Sequence, residues 1–196
     1  MTLLVLGLVL FIGIHSFSMA RGPRATLIGT IGEGAYKGLY SLLSLAGIVL
    51  ISVGYGQYRA NGYIPVWDPP VWTQHLALLL VLIAFICFVA AYLPGRIKSR
   101  LKHPMLAGVK IWAFAHLLAN GDLGSILLFG AFLAWAVAAR ISLKRRDVAA
   151  QHGGTAAPAG WRNDILAVAI GTVVYLAFVF WLHPWLIGVS VLPTRA

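Results

Sequence analysis

The sequence predicts an all-α integral membrane bundle of about six transmembrane helices, and three observations carry that prediction. Of 196 residues, 60% are hydrophobic and 10% charged, against roughly half and a quarter in a soluble domain, and the mean hydropathy is +0.87. The apolar residues gather into five long stretches and one shorter one, where crossing ~30 Å of hydrocarbon takes about 20 helical residues. Lys and Arg then fall almost entirely in alternate loops.

The first helix is expected near 3–20. It has the apolar character of a secretory signal, but no Lys or Arg precedes it, so the charged leading region is missing and it reads as a retained helix. Gly22-Pro23 breaks the chain before a second helix near 38–57, where Gly47 and Gly54 stand one heptad apart and suit close helix packing. Asn61-Gly62 and Asp68-Pro69-Pro70 carry turn chemistry ahead of a third helix near 72–93, which Leu93-Pro94-Gly95 closes. The shorter fourth helix is expected near 104–118, and Asn120-Gly121-Asp122 separates it from a fifth near 123–139. There Gly130, Ala134 and Ala138 form a small-residue ridge suited to packing. Residues 149–160 read as a flexible loop before a sixth helix near 165–186. Nothing repeats, so residues 1–190 read as one transmembrane domain.

The formal charge of +10 raises nucleic acid as a partner, and the placement of the basic residues argues against it. Arg21, Arg24 and Lys37 lie between the first two helices; Arg96, Lys98, Arg100 and Lys102 between the third and fourth; Arg140, Lys144, Arg145, Arg146 and Arg162 between the fifth and sixth. On the other side are only Arg59 and Arg195, while Lys110 falls within the fourth helix. The positive-inside rule then makes the basic loops cytoplasmic and puts both termini on the periplasmic side of a bacterial inner membrane. The partner so implied is the lipid bilayer, with anionic headgroups near the basic loops.

Five Asp and Glu in the whole chain leave little from which to build a paired-carboxylate hydrolase, a carboxylate metal site or a calcium loop. Cys87 is the only cysteine, so neither an intrachain disulfide nor a cysteine-ligated metal is available. Nucleophile-elbow, P-loop, dinucleotide-binding and zinc-protease motifs are absent. What remains is histidine. His15, His75, His103, His116 and His183 stand within or at the edges of the apolar stretches, and His152 in the loop. An ionisable side chain at membrane depth is costly and marks a functional candidate, although one near a helix end can simply bond a carbonyl. Several imidazoles without matching carboxylates or thiolates suit haem iron, which binds one ring nitrogen while the other donates to a carbonyl.

Gly108, Trp112, His116 and Asn120 recur every four residues and share one slowly drifting helix face. On that face Gly108 either leaves room for a flat macrocycle or admits a neighbouring helix, and Trp112 either stacks on the ligand or is an interface aromatic. Asn120 or Asp122 is placed to orient the His116 ring. Lys110, Lys102 or Arg100 suits the haem carboxylates, or marks the cytoplasmic edge. By depth, at ~1.5 Å per residue, His75 pairs well with His116, and His15 with His103. His15 with His116 is mismatched by ~10 Å unless a helix boundary or tilt shifts.

Several stretches have a familiar form. Gly-Ile-His-Ser-Phe at 13–17, Gly-Glu-Gly-Ala-Tyr-Lys-Gly-Leu-Tyr-Ser-Leu-Leu-Ser-Leu at 32–45, Tyr-Leu-Pro-Gly-Arg-Ile-Lys at 92–98 and the long Lys-His-Pro block through Ala-His-Leu-Leu-Ala-Asn-Gly-Asp at 102–122 together resemble the bacterial NnrU family over nearly the whole chain. That family is similar to plant zeta-carotene isomerase, which implies haem b held between two histidines and isomerisation of a 15-cis double bond. Carried onto the matching motifs, the resemblance implies His15 and His116 as the axial ligands, with His75 and His103 as second choices and Trp112 and Gly108 shaping the pocket. It also implies a link to nitrite and nitric oxide reduction, so the expected ligand is a lipophilic polyene or a nitrogen oxide. A different class is a non-catalytic accessory factor that docks with nitrite or nitric oxide reductase subunits. A third reading rests on Lys-His-Pro at 102–104 with Gly108, similar to the Arg-His-Pro-x-x-x-Gly stretch of membrane methyltransferases, though the C-terminal glutamate pair of those enzymes is missing.

Overall fold

Apolar side chains crowd the outside of the helices, and small ones fill the inside. In the computed structural model, which describes residues 1–149 and 160–191, Ala84, Ala113, Ala115 and Ala136 are completely buried while Val9, Leu42 and Val173 are about two-thirds exposed. A soluble protein does the reverse; lipid tails are as apolar as Leu, so membrane helices associate through small residues and turn large ones outward.

The helices are α1 (Thr2–Phe17), α2 (Arg21–Ile31), α3 (Glu33–Ala60), α4 (Val71–Ala90), α5 (Arg96–Leu101), α6 (Pro104–Ala119), α7 (Leu123–Ala149), α8 (Trp161–Ala177) and α9 (His183–Ile187), with a π-helical turn at Phe178–Leu182 joining the last two. Among the described residues there is no strand, and Pro65 and Asp122 make an isolated bridge. Among the described residues four helices are long and apolar enough to cross a membrane: α3, α4, the 23 residues Leu123–Arg145 of α7, and the run Trp161–Ile187. Counting α1 with α2 as one span raises the number to five.

Length and composition thus support four or five of the expected six spans. All six expected segments are helical, but α6 has 16 residues, a rise of about 24 Å. α1 stops at Phe17 rather than Ala20, where Ser18 Oγ donates to the His15 carbonyl at 2.6 Å, and the chain turns by 90° into α2. The basic helices α2 and α5 were read as loops, because short polar segments carry no apolar period. The loop expected at 149–160 falls, but for its two ends, outside the described residues, as does His152.

The chain divides into two compact units, each built from two separate segments: residues 1–68 with 121–143, and residues 69–120 with 144–196. In the first unit α1 lies antiparallel to α3 at very short range. A Cβ at Gly54 would collide with the Leu4 backbone, one at Gly7 would come within 2.6 Å of the Ile51 nitrogen, and one at Gly47 within 2.9 Å of the Phe11 Cβ. The heptad pair Gly47 and Gly54 thus packs as expected, with Gly7 its unforeseen counterpart. The ridge expected on α7 does not pack: Ala134 and Ala138 are exposed and Gly130 has open space around it, whereas Ala136 and Ala139 are buried. A four-residue step drifts around the helix, and either of two adjacent stripes satisfies it.

Polar ties fix the far end of this unit. Asp122 caps α7, accepting Ser125 N–H at 2.9 Å and Ser125 Oγ at 2.5 Å, and Tyr55 Oη lies 2.6 Å from the same buried hydroxyl. Val66 N–H donates to Gly121 O at 2.8 Å and Leu123 N–H to Ile64 O at 2.9 Å, holding the loop after α3 against the start of α7.

In the second unit α4 lies antiparallel to both α6 and α8. A Cβ at Gly108 would run into the Phe88 ring, and one at Gly171 would reach 2.8 Å from Ile86 Cα. Asp164, in the first turn of α8, accepts the backbone N–H groups of Arg96 at 3.1 Å and Ile97 at 2.9 Å, capping α5 from a neighbouring helix, and Asn163 Nδ2 donates to Pro94 O at 2.8 Å. Asp164→Ala leaves those two donors to water, so we expect a loss of about 1 kcal/mol, read as a lower melting temperature in detergent by circular dichroism, with Asp164→Asn recovering part of it. The π turn follows from Pro184, which has no N–H to offer the carbonyl four residues back; the His183 N–H reaches five residues back to Phe178 O instead.

Candidate functional site

His15 sits in the last turn of α1 among aromatic rings from all three long helices of its unit. Phe11 stacks on it at 4.1 Å between centroids, Tyr40 of α3 lies at 5.1 Å, and Trp135 of α7 meets it edge-on at 5.6 Å. The set continues through Phe132, 5.5 Å from Phe11, and Tyr36, 6.3 Å from Tyr40. None of these rings was singled out from sequence. Tyr36 and Tyr40, four apart at the start of the second apolar stretch, were the available signal; Trp135 gave none, because its meeting with His15 depends on how α7 packs.

The ring itself is held by one hydrogen bond. His15 Nδ1 is 2.7 Å from the Phe11 carbonyl. That oxygen can only accept, so Nδ1 carries the proton and Nε2 keeps its lone pair.

His116 lies in the last turn of α6, in the second unit, and has the same arrangement. Its Nδ1 is 2.8 Å from the Trp112 carbonyl, which again assigns the lone pair to Nε2, and the Trp112 ring is 5.1 Å from its own. His183 comes within electrostatic reach of it and is pinned through Nδ1 to Val189 O at 2.9 Å. The second choices stand apart. His75 is exposed on the first turns of α4, its Nδ1 3.1 Å from Val71 O. His103 precedes Pro104 at the opposite end of α6 from His116, about 20 Å along the helix.

Other expectations change on contact. Gly108 makes room for Phe88 rather than for a macrocycle, so its role is helix packing. Asn120 Nδ2 donates to the His116 backbone carbonyl at 2.8 Å and so closes the end of α6 instead of orienting the ring. Asp122 is committed to Ser125 within the first unit. A short polar side chain just beyond a helix end has backbone groups within easy reach, and these win over a more distant imidazole. Among the described residues no three His, Cys, Asp or Glu side chains come together to hold a metal ion.

The family profile described as NnrU protein matches residues 3–191. The chain belongs to the NnrU family. No curated protein and no solved structure matches it. The NnrU-like blocks quoted from the sequence land on the sites just described: 13–17 holds His15, 32–45 holds Tyr36 and Tyr40, and 102–122 covers α6 with Trp112 and His116. This NnrU protein is helical throughout its described residues, with four or five helices long and apolar enough to cross a membrane.

Proposed function

We propose that this NnrU protein binds haem b with His15 and His116 as axial ligands, and that it performs redox-linked chemistry: isomerisation of a lipophilic polyene, or handling of nitrogen oxides in denitrification. The observation that carries the reading is a part-buried imidazole against an aromatic ring with its Nδ1 on the carbonyl four positions back, which His15 and His116 share, whereas His75 makes the same bond on an exposed turn. That bond orients the ring and raises the basicity of Nε2, the outer-shell arrangement of histidine ligands to metals. Phe11, Tyr40 and Trp135 pack around His15, and Trp112 lies against His116. When bound, haem b would supply a one-electron redox couple.

The test is an absorption spectrum of detergent-purified protein, oxidised and then dithionite-reduced, with a pyridine haemochrome count. A Soret band with sharp reduced b-type bands at about one haem per chain is expected. A colourless protein that co-purifies with a nitrite or nitric oxide reductase subunit overturns the reading and assigns an accessory role.

In this reading α1 and α6 cross as short spans beside the four long ones, giving six crossings in the bacterial inner membrane and periplasmic termini. Basic residues gather at one end of each unit: Arg21, Arg24 and Lys37 where α1, α2 and α3 meet, and Arg96, Lys98, Arg100, Lys102 and Arg162 around α5. Alkaline phosphatase fused to either terminus is expected to be active and fusions in the α5 segment inactive; the opposite pattern reverses the topology.

A further inference from the structure

The rings around His15 include two polar atoms that nothing in the fold answers. Among the described residues neither Trp135 Nε1 nor Tyr36 Oη, both buried, has a hydrogen-bond partner, and Tyr36 as a whole is 5% exposed. A buried donor left unpaired is costly, and natural structures seldom keep one without a use. Both belong to the same cluster: Trp135 touches His15 edge-on, and Tyr36 reaches it through Tyr40.

The chemistry of these atoms selects the ligand group. An indole N–H donates and cannot accept, so whatever satisfies it must present an acceptor, and a phenol O–H can donate to an acceptor as well. Charge selects further. Arg24 of α2 places its guanidinium 5.4 Å from the centre of the Tyr36 ring, and the adjoining ends of α1, α2 and α3 carry Arg21 and Lys37 as well, with Glu33 the lone acid, paired to Lys37 at 2.8 Å. A negatively charged acceptor is favoured at such an end over a neutral carbonyl. Haem b carries two carboxylates on one edge.

We propose that Trp135 Nε1–H and Tyr36 Oη–H hydrogen-bond the carboxylate edge of the haem whose iron His15 ligates, so that this unit fixes the orientation of the macrocycle as well as its metal. The inference rests on the haem reading above. Neither residue touches iron; both are positioning residues for the cofactor's edge.

The test compares haem b with its dimethyl ester, which keeps the iron and ring but removes the acceptor charge. Full-length protein from haem-deficient cells is titrated with each in detergent, and Kd is read from the Soret change. Wild type is expected to bind haem at least about tenfold more tightly than the ester, the scale of a charge-assisted hydrogen bond. Trp135→Phe weakens haem binding about tenfold while leaving ester binding nearly unchanged, and Tyr36→Phe acts in the same direction. Variants that weaken haem and ester by the same factor, or neither, overturn the inference and leave both rings as packing. Wild type that takes up no haem instead defeats the haem reading and the inference with it. Should Trp135→Phe fail to fold by circular dichroism, Tyr36→Phe, which removes one oxygen, decides the matter.

Discussion

His15→Ala and His116→Ala proteins are each expected to lose the reduced b-type spectrum, with haem per chain falling at least about tenfold, since even outer-shell changes at metal ligands cost 10–100-fold. Both side chains are locked through Nδ1 to a carbonyl on their own helix, so removing the ring removes a preorganised donor. The rings around His15 are Phe, Tyr and Trp. His75→Ala serves as the control: that side chain is exposed, and its loss is expected to leave the spectrum unchanged. Restoration of the bands by added imidazole in His15→Ala would identify the ring as a ligand rather than a packing element. Two variants with full haem and unaltered spectra would remove His15 and His116 from the metal.

A second large effect is expected in the α1–α3 contact. Gly54→Leu should lower stability by about 3 kcal/mol or more, at the upper end for overpacking, because the space a Cβ needs is occupied by the Leu4 backbone, which cannot rotate away as a side chain would. Gly7→Leu meets the backbone of Ile51 and should behave alike. Gly56→Leu is the matched control. Gly56 stands two positions along the same helix in open space, where losing a helix glycine gains up to about 1 kcal/mol. The comparison is read from SDS-titrated unfolding followed by circular dichroism in one detergent. Equal stability of Gly54→Leu and Gly56→Leu would mean that α1 and α3 do not depend on close approach. Because His15 stands on α1 and Tyr36 and Tyr40 on α3, Gly54→Leu should also weaken haem uptake indirectly, and Gly56→Leu should not.

Much of this protein was legible in the chain itself because the relevant physics is one-dimensional. Hydrocarbon thickness demands long apolar runs, and long runs of Leu, Val and Ala in α3, α4 and α7 can be counted. Lys and Arg stay where water is, so their alternation marks the loops; Pro and Gly end helices by backbone geometry alone, as before α4 and after α6. The NnrU-like blocks and the histidines within them could be named by position for the same reason. What required the tertiary structure is everything that depends on which face of a helix meets which neighbour. Composition cannot distinguish Ala134 from Ala136 on α7, yet one is exposed and the other buried, because a stripe four residues apart and its neighbour differ only by a rotation about the helix axis. The same rotation brings Trp135 to His15 and directs Phe88 into the space at Gly108. Asn120 and Asp122 went to backbone and hydroxyl partners within reach rather than to an imidazole, since short polar side chains bond what lies closest. The right-angle turn after α1 left no apolar signature, being set by Ser18 and the basic helix that follows. Solvent preference is written residue by residue, whereas contact is a property of pairs, and only packing decides the pairs.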